Sequence, residues 1–468
     1  MKTIGALATA LAATAVSAET TPAKIEERAS KLPSITTKGN AFFNGNDRFY
    51  LRGVDYQPGG SSEAEDPLAD PSICNRDIPY FKQLGLNTIR VYTVDNSKNH
   101  DECMNALAQA GIYLVLDVNT PDYSLNRDDP GTSYNPTYLQ SIFSTIDAFA
   151  SYSNTLAFFS GNEVLNAPNT TNTAPYVKAV TRDMKQYIAE RGYRSIPVGY
   201  SAADVSENQY IMAQYMDCGS TPERSDFYAI NNYEWCDPSS FEESGWSALV
   251  DQYQNYSIPL FFSEYGCIDP GPRTFAEVKG LLQPDMTGVF SGGLIYEYSN
   301  EGNGYGIVNI NGNKVSFVGD QFSDFKSEMS STSAPSGNGG YSSNNPQQEC
   351  PGQSENWDTK PFTGSALPAI PSGAEKYFKN GAGKGPGLSG DGSQNAPGGS
   401  SQTASANAGQ PTQTYGSGSG SGSGSSSSGS ASSSGAAVGV VVPPMNVLPL
   451  AVMGTVVALS FAFGMASL

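Results

Sequence analysis

The sequence predicts an α/β fold, a (β/α)8 barrel of the TIM type followed by a disordered Ser- and Gly-rich C-terminal tail, and three observations carry this. Eight short runs rich in apolar and β-branched residues recur before residue 300, most of them apolar on both faces, as strands of a covered parallel sheet are. Segments of helical period separate most of these runs, several closed by a Gly such as Gly85, Gly111 or Gly192. The last third is mostly Gly, Ser, Pro, Gln and Asn; it cannot bury a core, which leaves one barrel-sized domain in front of it.

In order, residues 1–18 (MKTIGALATALAATAVSA) have one Lys, an apolar run and Val-Ser-Ala before Glu19, the pattern of a secretory signal peptide. The catalytic domain is assigned to residues 19–330. It opens with a hairpin in GNAFFNGNDRFY, and strands are expected at 49–54, 87–92, 112–118, 155–163, 196–200, 227–233, 259–264 and 293–298. Helices are expected at 77–84, 103–110, 138–151 and 176–191. Residues 331–380 are read as an extension that lies against the barrel, because Cys350 needs a partner, and 381–435 as a low-complexity linker. Residues 436–468 then follow the small residues Ser432, Ser433, Ser434 and Gly435 with a spacer and an apolar tail, and no charged residue follows Asp391. That combination is a glycosylphosphatidylinositol (GPI) attachment signal, with the lipid accepted by one of those four residues.

Composition excludes several functions. A net charge of -19 and a pI near 4.4 argue against nucleic acid and polyanionic substrates and leave a neutral polymer such as a glucan. The single histidine, His100, rules out a His-based zinc site, and within NSKNHDE it reads as a solvated loop residue. No metal or cofactor is expected. The 6 cysteines, Cys74, Cys103, Cys218, Cys236, Cys267 and Cys350, contain no CxxC pair, and in an exported chain they suggest structural disulfides. Asn169 and Asn255 are N-glycosylation sequons.

In a (β/α)8 barrel the chemistry sits at the C-terminal strand ends. TLAFFSGNE delivers Asn162 and Glu163 after the fourth strand, and PLFFSEYG delivers Glu264 after the seventh. Period-two alternation puts Ala157, Phe159, Gly161 and Glu163 on one face, and Leu260, Phe262 and Glu264 on another, so both acids are expected to point into the barrel mouth. Two such carboxyls suit retaining glycoside chemistry, in which one protonates the leaving oxygen and the other attacks the anomeric carbon. Glu234 and Glu297 are the rival acids. The 26 tyrosines fall repeatedly at strand ends, where Tyr92, Tyr233 and Tyr296 could stack on sugar faces.

The motifs GNAFF, FYLRGVDYQPGG, NTIRVYTVD, SLNR, SGNEV, YSAAD, NNYEWC and SEYGC, in this order between Ile35 and Phe325, resemble the fungal β-1,3-glucanosyltransferases of glycoside hydrolase family 72. The resemblance implies Glu163 as acid/base and Glu264 as nucleophile. It implies that Tyr92, the loop with Asn119, Ser124, Asn126 and Arg127, and Asn162, Tyr233 and Tyr296 hold a donor glucan, with Asp204 at the acceptor. It also implies the disulfides Cys74–Cys103, Cys218–Cys350 and Cys236–Cys267. The chain departs from the family in having Gln209 where an Arg is usual, and in lacking the Cys-rich carbohydrate-binding module, since no Cys follows Cys350. The expected function is a monomeric, GPI-anchored wall transglycosylase acting on β-1,3-glucan donor and acceptor chains. An endo-β-1,3-glucanase and a non-catalytic glucan-binding wall protein are the alternatives.

Overall fold

In the computed structural model, which describes residues 32–404, eight parallel strands close into a barrel. They are β1 (Leu51–Asp55), β2 (Thr88–Val91), β3 (Tyr113–Asp117), β4 (Thr155–Asn162), β5 (Val198–Ala202), β6 (Phe227–Asn232), β7 (Leu260–Tyr265) and β8 (Phe290–Ile295). Each pairs with its neighbours in sequence, and β8 returns to β1. The signal-peptide, lipid-attachment and C-terminal tail assignments lie outside the described residues.

Around the barrel run α1 (Pro71–Leu84), α2 (Asp101–Gln109), α3 (Pro136–Phe149), α4 (Ala174–Glu190), α5 (Gln209–Asp217), α6 (Trp246–Tyr253), α7 (Glu277–Leu281) and α8 (Gln321–Ser331). The starts of α1 and α3 follow local chemistry: Asp70 and Asn135 accept the backbone N–H of Ser72 and Tyr138, and Pro71 and Pro136 take the first turn. This places α1 six residues earlier than its apolar periodicity suggests. Its buried Asp77 is a structural residue, accepting the hydroxyls of Tyr56 at 2.7 Å and Tyr298 at 3.1 Å.

Alternate strand residues fill two cores. Leu51, Val115, Phe159, Phe227 and Phe261 pack inside the barrel, and the N-terminal antiparallel strands (Ile35–Lys38, Ala41–Asn44, Asp47–Phe49) plug its lower end with Phe42, whose ring lies 6.0 Å from Phe227. The opposite faces, with Phe158, Tyr200, Tyr228 and Phe262, pack against the helices. Strict alternation fails on β7. Leu260 and Phe262 face the helices, and a register shift between Phe262 and Glu264 lets Ser263 and Glu264 both contribute to the barrel interior. The eighth strand starts at Phe290 and ends before Tyr296, so Tyr296 and Glu297 belong to the following loop.

His100 is buried, not solvated. Its Nε2 lies 2.8 Å from Asp66 Oδ2 and its ring 4.4 Å from Phe149, partners that are distant in sequence and invisible in the polar run around it. Disulfides join Cys74 to Cys103, Cys236 to Cys267 and Cys218 to Cys350, the last anchoring the extension. Trp357 and Phe362 of this extension pack on Tyr215 and Tyr176. The linker expected from Gly381 is corrected at its start: residues 381–404 pack on the barrel, where Gly387 N–H donates to Asn96 and Ser393 N–H to the Asp122 carbonyl. A Gly/Ser-rich composition hides such backbone-mediated packing, because apolar side chains do not carry it.

Candidate active site

Glu264 stands at the end of β7 among hydrogen-bond donors. Tyr92 OH donates to Oε1 at 2.8 Å, Arg90 Nη1 to the same oxygen at 3.0 Å, and Tyr233 OH to Oε2 at 2.6 Å. Burial pushes both phenols well above their ordinary pKa, so they remain protonated donors. Burial opposes a charge on Arg90, but Asp117, Tyr92 and Glu264 outweigh it and hold the guanidinium protonated. Asp117 fixes that guanidinium from its other side at 2.8 and 3.2 Å. The result is a carboxylate held in one orientation, with its negative charge spread into three donors.

Glu163 has a different setting. Asn231 Nδ2 donates to its Oε1 at 2.7 Å, and the side chain is half-buried. Burial, and then the charge of Glu264, raise its pKa, while the Asn231 N–H pulls the other way. Asn231 is itself oriented by hydroxyls of Ser201 and Ser263 at 3.1 and 2.8 Å, and it also meets Asn162 Oδ1 at 3.2 Å. The backbone at Glu163 is left-handed, with φ 48°, just past a register shift in β4. Arg127 spans this turn, donating to the carbonyls of Glu163 at 2.7 Å and Val164 at 2.9 Å. Together the pair supplies one carboxyl biased toward the protonated form and one arranged to carry charge, the requirement for acid-assisted displacement at an anomeric centre.

The sequence matches the glucanosyltransferase family, glycoside hydrolase family 72, over residues 24–333. The chain belongs to this family. It is similar to the 1,3-beta-glucanosyltransferase gel1 of Aspergillus fumigatus, 60% identical over 382 residues that cover 81% of this chain and 83% of that protein. It also resembles the 1,3-beta-glucanosyltransferase GAS5 of Saccharomyces cerevisiae, 54% identical over 359 residues covering 76% and 73%. Among solved structures, Saccharomyces cerevisiae Gas2 bound to a compound superposes with a TM-score of 0.68 at 40% identity, covering 74% of this chain and 79% of that one. A mutant of the same protein in complex with laminaritetraose and laminaripentaose matches with a TM-score of 0.67 at 40% identity, covering 73% and 76%.

Around the acids of this glucanosyltransferase-family barrel, Tyr233, Tyr296 and Tyr305 form a ring cluster, with Tyr296 6.1 Å from Tyr233 and 5.4 Å from Tyr305. Tyr296 OH also lies 3.2 Å from Ser61 Oγ. Asn119 is pinned by Tyr138 OH at 2.6 Å and by its own N–H to the Ser160 carbonyl, while Asn126 accepts the Asp128 N–H. Asp204 has two amide donors, Gln209 at 2.9 Å and Asn232 at 3.1 Å. Burial, and then the charge of Glu234, push Asp204 up to about 6. Gln209, the position where the resemblance implied Arg, engages Asp204 as a neutral donor.

The rival acids part company: Glu234 is exposed, whereas Glu297 is buried, accepts Asn303 Nδ2 at 2.7 Å and is raised by burial to about 7. Sequence reading did not single out Arg90, Asn231, Tyr305 or Gln57, which accepts the backbone N–H groups of Tyr92 and Thr93. An arginine inside the apolar run NTIRVY, in phase with Tyr92, was the available signal for the first of these.

Proposed function

We propose that this chain cuts a β-1,3-glucan internally, with retention, and passes the new reducing end to the non-reducing end of another β-1,3-glucan, working as a monomer without metal or cofactor. Glu163 gives its proton to the leaving oxygen while a Glu264 oxygen attacks the anomeric carbon, forming a glycosyl ester as the glycosidic C–O bond breaks. An acceptor hydroxyl then loses its proton to Glu163 and attacks the same carbon, releasing the Glu264 carboxylate. The unequal setting of the two carboxyls carries this reading. One is desolvated with a raised pKa; the other is gripped by Tyr92, Arg90 and Tyr233. Tyr92, Asn119, Ser124, Asn126, Arg127, Asn162, Tyr233 and Tyr296 hold the donor, and Asp204 the acceptor.

The test is product length. With one reduced laminari-oligosaccharide of about ten sugars, enough to fill a barrel-mouth cleft, the enzyme yields a short fragment and also products longer than the starting material. Shorter products alone, even at high oligosaccharide concentration, would replace transfer by hydrolysis.

The protein is placed at the outer face of the plasma membrane and in the wall, exported by its signal peptide and held by a GPI lipid on a residue among Ser432 to Gly435. Asn169 and Asn255 are both exposed, as glycan acceptors must be. Phosphatidylinositol-specific phospholipase should release it from membranes; a mature chain that keeps residues 447–468 would end the anchor assignment.

A further inference from the structure

The packed tail meets the barrel at one place above all, the loop that follows β3. Gly392 N–H points at Tyr123 OH (3.4 Å), Ser393 N–H donates to the Asp122 carbonyl at 2.9 Å, and Gln394 Nε2 donates to both the carbonyl and the hydroxyl of Ser124, at 2.7 and 3.0 Å. Further along, Asn135 Nδ2 donates to the Ser393 carbonyl at 2.7 Å, and Ser400 N–H to that of Tyr134 at 3.2 Å. The fit is tight. A Cβ on Gly390 would come within 2.1 Å of Tyr123 OH, and one on Gly385 within 2.2 Å of Asn96 Oδ1. Only glycine lets the tail backbone come so close to those side chains.

The same loop is tied at its far end by Arg127 to the carbonyl of Glu163. It is thus stretched between the tail and the turn that presents one of the two acids. Between them lies a cavity of about 580 Å³ in which Gln394 joins Ser124, Asn126, Arg127, Asp128 and Asn166, a polar lining suited to sugar hydroxyls. The family match ends at residue 333, well before this segment.

We propose that residues 385–400 are a strap that positions the donor loop 119–127, and that Gln394, by holding Ser124, sets how strongly the cleft grips the remote part of a long glucan. This rests on the reading that the loop binds donor. Gln394 is a positioning residue: binding energy from the remote sugars reaches the reacting centre only if the loop is already in place.

The experiment uses the full secreted chain and compares kcat/KM for laminari-oligosaccharide donors of about ten and about five sugars. Gln394→Ala should lower the long-to-short ratio about fivefold, the worth of one net hydrogen bond, with the short donor nearly unaffected. Gly390→Ala, which forces the strap off Tyr123, should do the same. A change in fold alone would lower both donors together, and that result overturns the proposal, as does an unchanged ratio. If Gln394→Ala lowers the melting temperature, Gln394→Leu serves instead. It keeps much of the bulk but has no polar atom to hold Ser124, and a retained ratio again refutes the strap. Gln353→Ala, which removes a bond to Thr359 within the extension, is the control. Wild-type enzyme that never lengthens its donor would refute the transferase reading; lengthened products with a retained ratio in Gln394→Ala refute only the strap.

Discussion

Glu163 and Glu264 are the same amino acid at corresponding ends of two strands of one barrel, yet their surroundings differ in a way that suits the different work proposed for them. Around Glu264, a guanidinium and two phenols donate directly to the carboxylate. Around Glu163 there is one amide donor and little else, so burial and the neighbouring negative charge favour its proton. The difference teaches that role follows from the count and charge of the donors, since chain position and residue type are matched.

The sharpest way to break that comparison is to remove each carboxyl in turn. Glu264→Gln should cost about 10⁵-fold or more in kcat with any donor, because no other group can form the glycosyl ester. Glu163→Gln should cost about 10²–10⁴-fold with glucan donors, and much less with a donor whose leaving group needs no proton. Steady-state rates with an oligosaccharide and with an activated aryl glucoside would separate the two. Equal losses with both donors in both variants would mean that the roles are not divided.

A smaller effect tests the environment of Glu163. In the proposed mechanism its proton is needed for bond cleavage, and its pKa is raised, so activity is expected to fall as pH rises through that pKa. Asn231→Ala deletes the N–H that favours the ionised form, so the alkaline limb of kcat/KM should move upward by about 0.5–1 pH unit. A downward move in a pH-rate profile would show that Asn231 does not stabilise the ionised acid.

The eight-strand order and the placement of Glu163 and Glu264 at strand ends were legible in the sequence because long apolar runs and terminal Gly or Asn residues are local signals. What was not legible depended on contacts across the fold. The inward turn of Glu264 needed a register shift that strict alternation does not contain, since Leu260 and Phe262 face the helices. His100 sat in a polar run, and only folding brings it against Asp66 and Phe149. The tail from 381 to 404 was hidden for the opposite reason. Its contacts are made largely by backbone groups and by the absence of a Cβ, which composition reads as flexibility.

The left-handed backbone at Glu163 has a meaning beyond geometry. A residue with a Cβ pays about 1–3 kcal/mol to sit at such a φ, and glycine does not, so the position that the proposed mechanism needs for cleavage is also one where the fold would be better served by another residue. In that mechanism it is the chemistry, and not the fold, that calls for a glutamate there. A duplicated copy of this gene released from catalysis would drift toward Gly or Asn at 163 and become more heat-stable as it did so. Among otherwise intact relatives, that substitution with a raised melting temperature would mark the copies that have given up chemistry and kept only the scaffold.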